Sequence, residues 1–272
     1  MEGNRKENKD QLSSEETPAL ESFYWEMLAD LDLTKHLGGL KATNELIELC
    51  HIEEAEYVLD VGCGVGATPC YIAKKYGCRV VGVDILRRMI ERSKERANRE
   101  EVEDRVEFIV ADAQALPFRD DIFDAIIGES IITVIEDKQR AINECVRVAK
   151  PGGYIGFNEA VLLKIPPPKE LVEYLSRTWG SNLEILTSDS WQELLEKSGL
   201  RNIVVKIHKI TVWSEIINRI RRYGLKHFLR VWYRFLSQYI RRPAYRTFLK
   251  EALSQPKELI EYLGYGIYVG RK

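Results

Sequence analysis

Short apolar runs alternate with amphipathic stretches through the middle of the chain. Between the runs, apolar residues recur every three or four positions, which is typical of helices. Strands that alternate with helices predict a parallel sheet covered on both faces, and right-handed crossovers make that sheet doubly wound. The first five predicted strands are residues 57–62, 78–84, 105–112, 123–130 and 154–161.

Two later runs complete the predicted sheet, at residues 201–210 and 264–272. The pattern therefore predicts a doubly wound, Rossmann-like α/β fold with a mostly parallel, seven-stranded sheet. It also predicts a helical lid inserted before the last strand. The predicted organisation is a disordered tail at 1–17, an N-terminal helical cap at 18–50, and one domain at 51–272 that includes a helical basic and aromatic insertion at 208–263.

The composition allows the chain to bury a hydrophobic core and stay soluble. The 272 residues are 45% hydrophobic and 30% charged, with a formal net charge of −2. The chain has neither an apolar run of about 20 residues, as a membrane span needs, nor an apolar signal region at its start. We expect a cytoplasmic protein that can still touch a membrane peripherally. The 5 cysteines lack the spacing of a metal site, so we expect reduced thiols and no metal.

A glycine cluster, Gly62-Cys63-Gly64-Val65-Gly66, lies between the first strand and the next helix. Glycines allow unusual backbone angles and the close approach of a ligand. The cluster lacks the Lys-Ser or Lys-Thr of a phosphate-binding P-loop, and its spacing is not Gly-x-Gly-x-x-Gly. Asp60 before it would repel a pyrophosphate. The cluster therefore favours a positively charged or amino-bearing ligand.

The stretch "VLDVGCGVG" resembles the signature motif of the class I methyltransferases that use S-adenosylmethionine. The blocks "LPFRDDIFDAIIGES" and "RVAKPGGYIGF" continue the resemblance, which covers about residues 40–160. It implies that the chain binds S-adenosylmethionine and releases S-adenosylhomocysteine without a metal. The methyl group would pass to a nucleophilic acceptor atom by in-line displacement.

The resemblance also implies which residues hold the cofactor. Asp84 ends the second strand, where the family places the acid that binds the ribose hydroxyls, and Asp112-Ala113 follows the third strand, where the family reads the adenine amino group. The full set of expected cofactor residues is Asp60, Gly62, Cys63, Gly64, Gly66, Asp84, Ile85, Asp112, Ala113 and Glu129.

Three residues are candidates for catalysis. Glu129 and Glu159 follow from their places at the ends of the fourth and fifth strands, because ligands of doubly wound sheets bind at those carboxyl ends. His36 precedes Gly38-Gly39, in a segment that lies over the cofactor in related small-molecule enzymes. Many such enzymes also carry a histidine after the fourth strand. This chain has "ESIITVIED" there, so no histidine is carried over.

The segment 212–250 has ten Lys or Arg residues against one acid, and nine aromatic residues. Its apolar residues recur every three or four positions among arginines, as in an interfacial amphipathic helix. Three interpretations stay open: a lid over the acceptor site, a lid that also binds an anionic membrane surface, and an RNA-binding segment.

The sequence thus predicts a methyltransferase for a small-molecule or lipid acceptor that is apolar or amphipathic, of the quinone, isoprenoid or phospholipid-headgroup class. An RNA methyltransferase is one alternative. It is disfavoured because no Asn-Pro-Pro-Tyr-like motif follows the fourth strand. A protein that binds S-adenosylmethionine without catalysis is the other alternative.

Overall fold

A computed structural model of the protein describes residues 16–34, 36–52, 57–179, 183–211 and 229–272. Its seven strands are β1 (Tyr57–Val61), β2 (Arg79–Asp84), β3 (Val106–Val110), β4 (Phe123–Glu129), β5 (Ala149–Leu162), β6 (Arg201–Lys209) and β7 (Leu263–Arg271).

These strands form one sheet in the order β3-β2-β1-β4-β5-β7-β6. The predicted seven-stranded α/β sheet is confirmed, and it is mixed rather than purely parallel. The first five strands pair in parallel, whereas β7 runs antiparallel to both β5 and β6. The chain order reverses between β1 and β4. The carboxyl ends of these two strands therefore open a crevice, where doubly wound folds bind ligands.

The helices are α1 (Glu16–Leu31), α2 (Gly39–Leu49), α3 (Ala67–Tyr76), α4 (Arg87–Glu100), α5 (Lys138–Val148), α6 (Lys169–Trp179), α7 (Ser188–Lys197), α8 (residues 229–241), α9 (Pro243–Leu253) and α10 (Leu259–Tyr262). A short 3-10 helix, Ile132–Val134, follows β4.

The sheet separates two hydrophobic layers. Strand β1 contacts both layers, because Val58 packs in one of them and Leu59 and Val61 pack in the other. Successive strand residues point to opposite faces, so a strand covered on both sides is apolar throughout. Asp60 is the exception in β1, and it is buried. A buried carboxylate within an apolar strand indicates a functional position.

A third hydrophobic cluster joins the N-terminal helix to the helices between β6 and β7. Tyr24, Met27 and Leu28 of α1 pack with Tyr245 of α9, and Phe235 of α8 packs against them. The ring centroids of Phe235 and Tyr245 are 5.5 Å apart. Segments from the two ends of the sequence thus form one cap beside the crevice.

The predicted start of the fifth strand is wrong. It was placed at residue 154, but β5 begins at Ala149, and its pairing with β4 is irregular between Ala149 and Tyr154. Gly153 allows this because its backbone lies against the carbonyl groups of Asp124 and Lys150, and an added Cβ would come within 2.8 Å of the Asp124 oxygen.

Most of the predicted tail and residues 212–228 of the basic segment lie outside the described residues. Within the described ranges, no helix is long and apolar enough to cross a membrane. No group of three or more His, Cys, Asp or Glu side chains in those same ranges is placed to hold a metal ion. All five cysteines are buried and free of disulfides.

Candidate active site

A cavity of about 310 Å³ lies at the carboxyl ends of β1, β2 and β4. Segments from distant parts of the chain form its walls. The expected site residues among its lining are His36, Asp60, Gly62, Cys63, Gly64, Asp84, Ile85 and Glu129. The N-terminal cap contributes Trp25, Leu28, Leu33 and Thr34 to the same lining.

The three glycines of the loop after β1 have positive φ angles, 73° at Gly62, 54° at Gly64 and 74° at Gly66. Their surroundings differ. An added Cβ at Gly62 would lie 2.5 Å from the side chain of Ile131, whereas one at Gly64 would meet nothing within 4 Å. Because Gly64 lines the cavity, that open space belongs to the cavity. Gly64 thus leaves room for a ligand beside the backbone.

Asp84 ends β2 and faces this loop. One carboxylate oxygen accepts the Gly64 amide at 3.0 Å, and the other accepts the Leu86 amide at 2.9 Å. Burial raises the pKa of Asp84, and the two amide donors partly offset that effect. Each carboxylate oxygen has further lone pairs, so the group can accept hydrogen bonds from a ligand. Ile85, beside it, is an exposed apolar residue of the lining.

Asp60 of β1 and Cys63 of the glycine loop are both buried. Burial raises the pKa of the Cys63 thiol well above its usual value, and the charges of Asp60 and Asp84 raise it further. The thiol therefore stays protonated near neutral pH, and a role as a nucleophile is disfavoured.

Glu129 is the centre of a hydrogen-bonded cluster at the end of β4. Its Oε1 accepts the hydroxyl of Thr43 from α2 at 2.9 Å, and its Oε2 accepts the hydroxyl of Thr68 from α3 at 2.7 Å. His36 Nε2 lies 3.7 Å from Oε1 and 3.3 Å from Thr43 Oγ1. The side chains of His36 and Glu129 are almost completely shielded from solvent. The arrangement joins an imidazole to a carboxylate inside the cavity.

A second recess of about 40 Å³ adjoins the cavity and shares Trp25, Ser130 and Val134 with it. Aromatic and aliphatic side chains make up most of the remaining wall, which comprises Tyr24, Leu37, Thr133, Ala160 and Trp179. Among the lining residues of both spaces in the described ranges, none is Lys or Arg. The recess therefore suits an apolar group.

Glu159 lies elsewhere than predicted. Its side chain is fully buried, outside the lining of both spaces. Its carboxylate accepts the amides of Ile131, Ile132 and Thr133 and the Thr133 hydroxyl, at 2.6–3.1 Å. Strand β5 continues to Leu162, so Glu159 is not at the strand end. We correct its predicted catalytic role: Glu159 holds the segment after β4, which forms a wall of both spaces.

Three other expected cofactor residues lie outside the cavity lining. Gly66 is the residue before α3, and an added Cβ there would come within 2.8 Å of Ser93. Its small size is needed for helix packing. Asp112 accepts the Gln114 amide at 2.8 Å, and Ala113 is buried in the apolar layer.

Several site residues gave little signal in the sequence. Thr43 and Thr68 contact Glu129 across 86 and 61 residues of sequence. Thr68 could have been found, because it is the second residue of the helix that starts at the glycine loop. Trp179 ends α6 and reaches the recess only through the packing of α6.

Arg96 connects the cap to the glycine loop. From α4, its buried guanidinium donates to the Val65 carbonyl at 2.9 Å and to the Asp32 carboxylate at 2.6 Å. Asp32 also accepts from Arg99 at 2.9 Å. Asp32 follows α1, so these bonds fix the cap segment directly above the cavity.

Comparison with known proteins agrees with this geometry. Residues 59–157 match the family described as "Methyltransferase domain". An uncharacterized protein of Haemophilus influenzae is 31% identical over 65% of this chain and 71% of its own length. Methyltransferase GfsG of Streptomyces halstedii is 32% identical over 65% of this chain and 64% of its own. Phosphoethanolamine N-methyltransferase 1 of Zea mays is 30% identical over 62% of this chain, which spans 33% of that enzyme.

A solved structure extends the comparison to the whole fold. Phosphoethanolamine N-methyltransferase 2 of Haemonchus contortus, in complex with phosphomonomethylethanolamine and S-adenosylhomocysteine, superposes with a TM-score of 0.71. The match covers 91% of this chain and 56% of that chain at 20% identity, so it shows the shared fold alone. The matching domain and the relatives show that the chain belongs to the class I S-adenosylmethionine-dependent methyltransferases of the small-molecule type.

Proposed function

We propose that the protein methylates a small apolar or amphipathic acceptor, with an apolar group of the acceptor held in the aromatic recess beside the cofactor cavity. The observation that carries this proposal is the continuity of two unlike spaces. One is lined by a glycine loop and three carboxylates, and the other is walled mainly by Tyr24, Trp25, Leu37 and Trp179.

The larger cavity fits S-adenosylmethionine by its chemistry. Gly64 leaves open space beside the backbone, which any side chain would reduce. The Asp84 carboxylate is held by two amides and has acceptor capacity left for the ribose hydroxyls. Asp60 and Glu129 supply negative charge to the same cavity, which suits a cofactor that carries an ammonium and a sulfonium. Asp112 and Ala113 stay proposed adenine contacts on the resemblance alone.

The lining of the recess limits which chemical classes of acceptor fit. A buried phosphate is bound best by cationic side chains, and the described lining of both spaces contains no Lys or Arg. Tyr24, Trp25 and Trp179 instead offer large apolar surfaces with few polar groups. Of the predicted classes, the quinone and isoprenoid classes therefore fit better than a phospholipid headgroup.

The chain's own residues would align the acceptor and take up its proton. When bound, S-adenosylmethionine supplies a methyl group on a sulfonium sulfur and is released as S-adenosylhomocysteine. The aromatic walls exclude water and orient the acceptor, which is a large part of catalysis when the methyl donor is already activated. His36 accepts the proton that the acceptor loses, and Glu129, 3.7 Å away, stabilises the resulting imidazolium.

An acceptor screen tests the proposal. The protein is incubated with S-adenosylmethionine and three acceptor sets: a neutral membrane-lipid fraction that contains quinols, phosphoethanolamine, and RNA. Mass spectrometry then follows the gain of one methyl group. We expect product from the neutral fraction. Methylation of phosphoethanolamine or RNA alone would refute the proposed acceptor class. Binding of S-adenosylhomocysteine in calorimetry without product in any set would instead favour a non-catalytic role.

Variants test the proton acceptor. His36→Asn should lower kcat about 100- to 10,000-fold, the usual contribution of a general base, with the affinity for S-adenosylhomocysteine nearly unchanged. His51→Asn is the matched control, because His51 is exposed after α2, lies beside the Tyr154 ring and is not part of the cavity lining. Equal activity of the two variants would show that His36 is not the base.

A further inference from the structure

Helix α8 has two apolar faces, and within the described part of the chain only one of them is covered. Val231, Phe235 and Tyr239, four residues apart, pack against α1 and α9 in the third hydrophobic cluster. A second row emerges on the other side of the helix. This row, the α8 outer face, consists of Leu229, Trp232, Tyr233, Leu236 and Ile240, whose exposed fractions are 59%, 49%, 74%, 54% and 76%.

The spacing shows that the outer face is continuous. Its members are separated by three, one, three and four positions, which places them along one side of a helix of 3.6 residues per turn. Large apolar residues scattered singly on a surface need no explanation, but a row of five along one helix marks an interaction surface.

The charged residues of α8 and of the first part of α9 are all basic. Residues 229–250 contain six basic residues and no acidic residue. All six are exposed: Arg230, Arg234, Arg241, Arg242, Arg246 and Lys250. Arg242 lies 3.9 Å from Asp30 of α1. Basic residues that flank an apolar helix face are the composition of helices that lie in the interface of an anionic membrane.

We propose that the α8 outer face docks the protein on an anionic lipid surface. Leu229, Leu236 and Ile240 enter the acyl boundary, and the arginines contact the headgroups. A single-stranded nucleic acid would need aromatic residues for base stacking, whereas three of the five residues here are aliphatic. A second copy of the chain would bring the same arginines together and repel them.

Docking would also place the cap at the membrane. The covered face of α8 packs on α1, and α1 contributes Tyr24 and Trp25 to the recess. The helix that walls the acceptor site would thus be held against the membrane through α8. This part of the inference rests on the proposed apolar acceptor, whereas lipid binding itself does not.

Co-sedimentation with phosphatidylcholine vesicles, with and without phosphatidylserine, tests the docking. Wild-type protein should bind only the vesicles that contain phosphatidylserine. Binding should be lost between about 0.1 M and 1 M salt, because the screening length falls from about 10 Å to about 3 Å. Arg230→Gln/Arg234→Gln/Arg241→Gln should weaken binding about 100-fold, from about a factor of five for each charge.

A second triple variant controls for net charge. Arg79→Gln/Arg119→Gln/Arg201→Gln removes three exposed positive charges elsewhere on the molecule and should leave binding unchanged.

The apolar contribution has its own pair of variants. Ile240→Ser should reduce binding at least about threefold, whereas Ile165→Ser should not, although Ile165 is similarly exposed at 70%. Unchanged affinity for S-adenosylhomocysteine confirms that each variant is folded.

Several outcomes would overturn the docking surface. The first is that wild-type protein does not bind phosphatidylserine vesicles at low salt. The second is that both triple arginine variants lose vesicle binding equally. The third is that the protein forms a dimer in solution that Ile240→Ser dissociates. Preferential binding of RNA over vesicles would overturn it as well. Vesicle binding without methyl transfer to any acceptor would refute the proposed function and leave the docking surface intact. Methyl transfer without vesicle binding would do the reverse.

Discussion

Replacing Gly64 by alanine tests whether the glycine loop faces the cofactor. The added Cβ would point into the cavity, since nothing of the protein lies within 4 Å of it. The φ angle of 54° at Gly64 lies in the left-handed region. An L residue pays about 1–2 kcal/mol to adopt that conformation, so Gly64→Ala should fold with a modest loss of stability.

The larger effect should appear in cofactor binding. A methyl group forced into a well-packed interface costs about 1–3 kcal/mol. At 1.4 kcal/mol for each factor of ten, this corresponds to a dissociation constant for S-adenosylhomocysteine about 5- to 150-fold higher. Titration calorimetry measures this constant directly, and thermal unfolding without ligand measures the stability loss separately.

Gly199→Ala is the matched control. Gly199 has a φ of 85°, an added Cβ there also meets nothing within 4 Å, and the residue follows α7 outside both spaces. Both variants should lose similar stability, but only Gly64→Ala should bind more weakly. Wild-type affinity in Gly64→Ala would refute the placement of the cofactor against this loop.

Three further predictions concern Asp84, Glu159 and Arg96. Asp84→Ala should lose about 2–4 kcal/mol of affinity for S-adenosylhomocysteine. Calorimetry at several pH values should show that the affinity of wild-type protein falls as pH drops through the raised pKa of Asp84, because only the ionised carboxylate accepts hydrogen bonds from both ribose hydroxyls. The affinity of Asp84→Asn should lack this pH dependence. Glu159→Gln should cost about 1–3 kcal/mol of unfolding free energy, because the amide NH2 of glutamine would place donors against groups that themselves donate to this side chain. Burial raises the pKa of Glu159. The contribution of this carboxyl to the free energy of unfolding should therefore be complete below about pH 4.3 and decline as pH rises through the folded pKa. If the difference in unfolding free energy between wild type and Glu159→Gln does not decline in this way, the raised pKa is contradicted. Arg96→Met should cost about 3–5 kcal/mol of unfolding free energy and increase proteolysis of α1, because it breaks a buried ion pair. The half-exposed Arg99→Met should cost at most about 1 kcal/mol, and equal losses in the two variants would refute the role of Arg96 in connecting the cap to the glycine loop.

The sheet and the cofactor loop could be predicted because their signals are local. Strand β1, the glycines and α3 are contiguous, and apolar runs that alternate with amphipathic helices specify a sheet covered on both faces. Asp84 was predicted from the family resemblance, which places an acid at the end of β2, and it does line the cavity. A short stretch of backbone determines each of these features.

Glu129 and Glu159 show where this reasoning stops. Both were assigned by the same rule, as acids at the ends of adjacent strands. The cavity contains only Glu129, because β5 extends three residues beyond Glu159 and pairs with β7 there. Residue 159 thus points into protein rather than into the crevice. The extent of a strand depends on its neighbours, and β7 is more than 100 residues away in the sequence.

The sequence by itself determined the order of strands and helices, the family and the loop that we propose to hold the cofactor. It also showed that residues 212–250 are amphipathic and basic. Only the tertiary structure decided which face of α8 is covered, which hydroxyls reach Glu129 and which aromatic residues wall the recess. Periodicity places apolar residues on a face, but contacts between distant segments decide what covers that face, because hydrophobic burial is non-directional and depends on the elements that pack together.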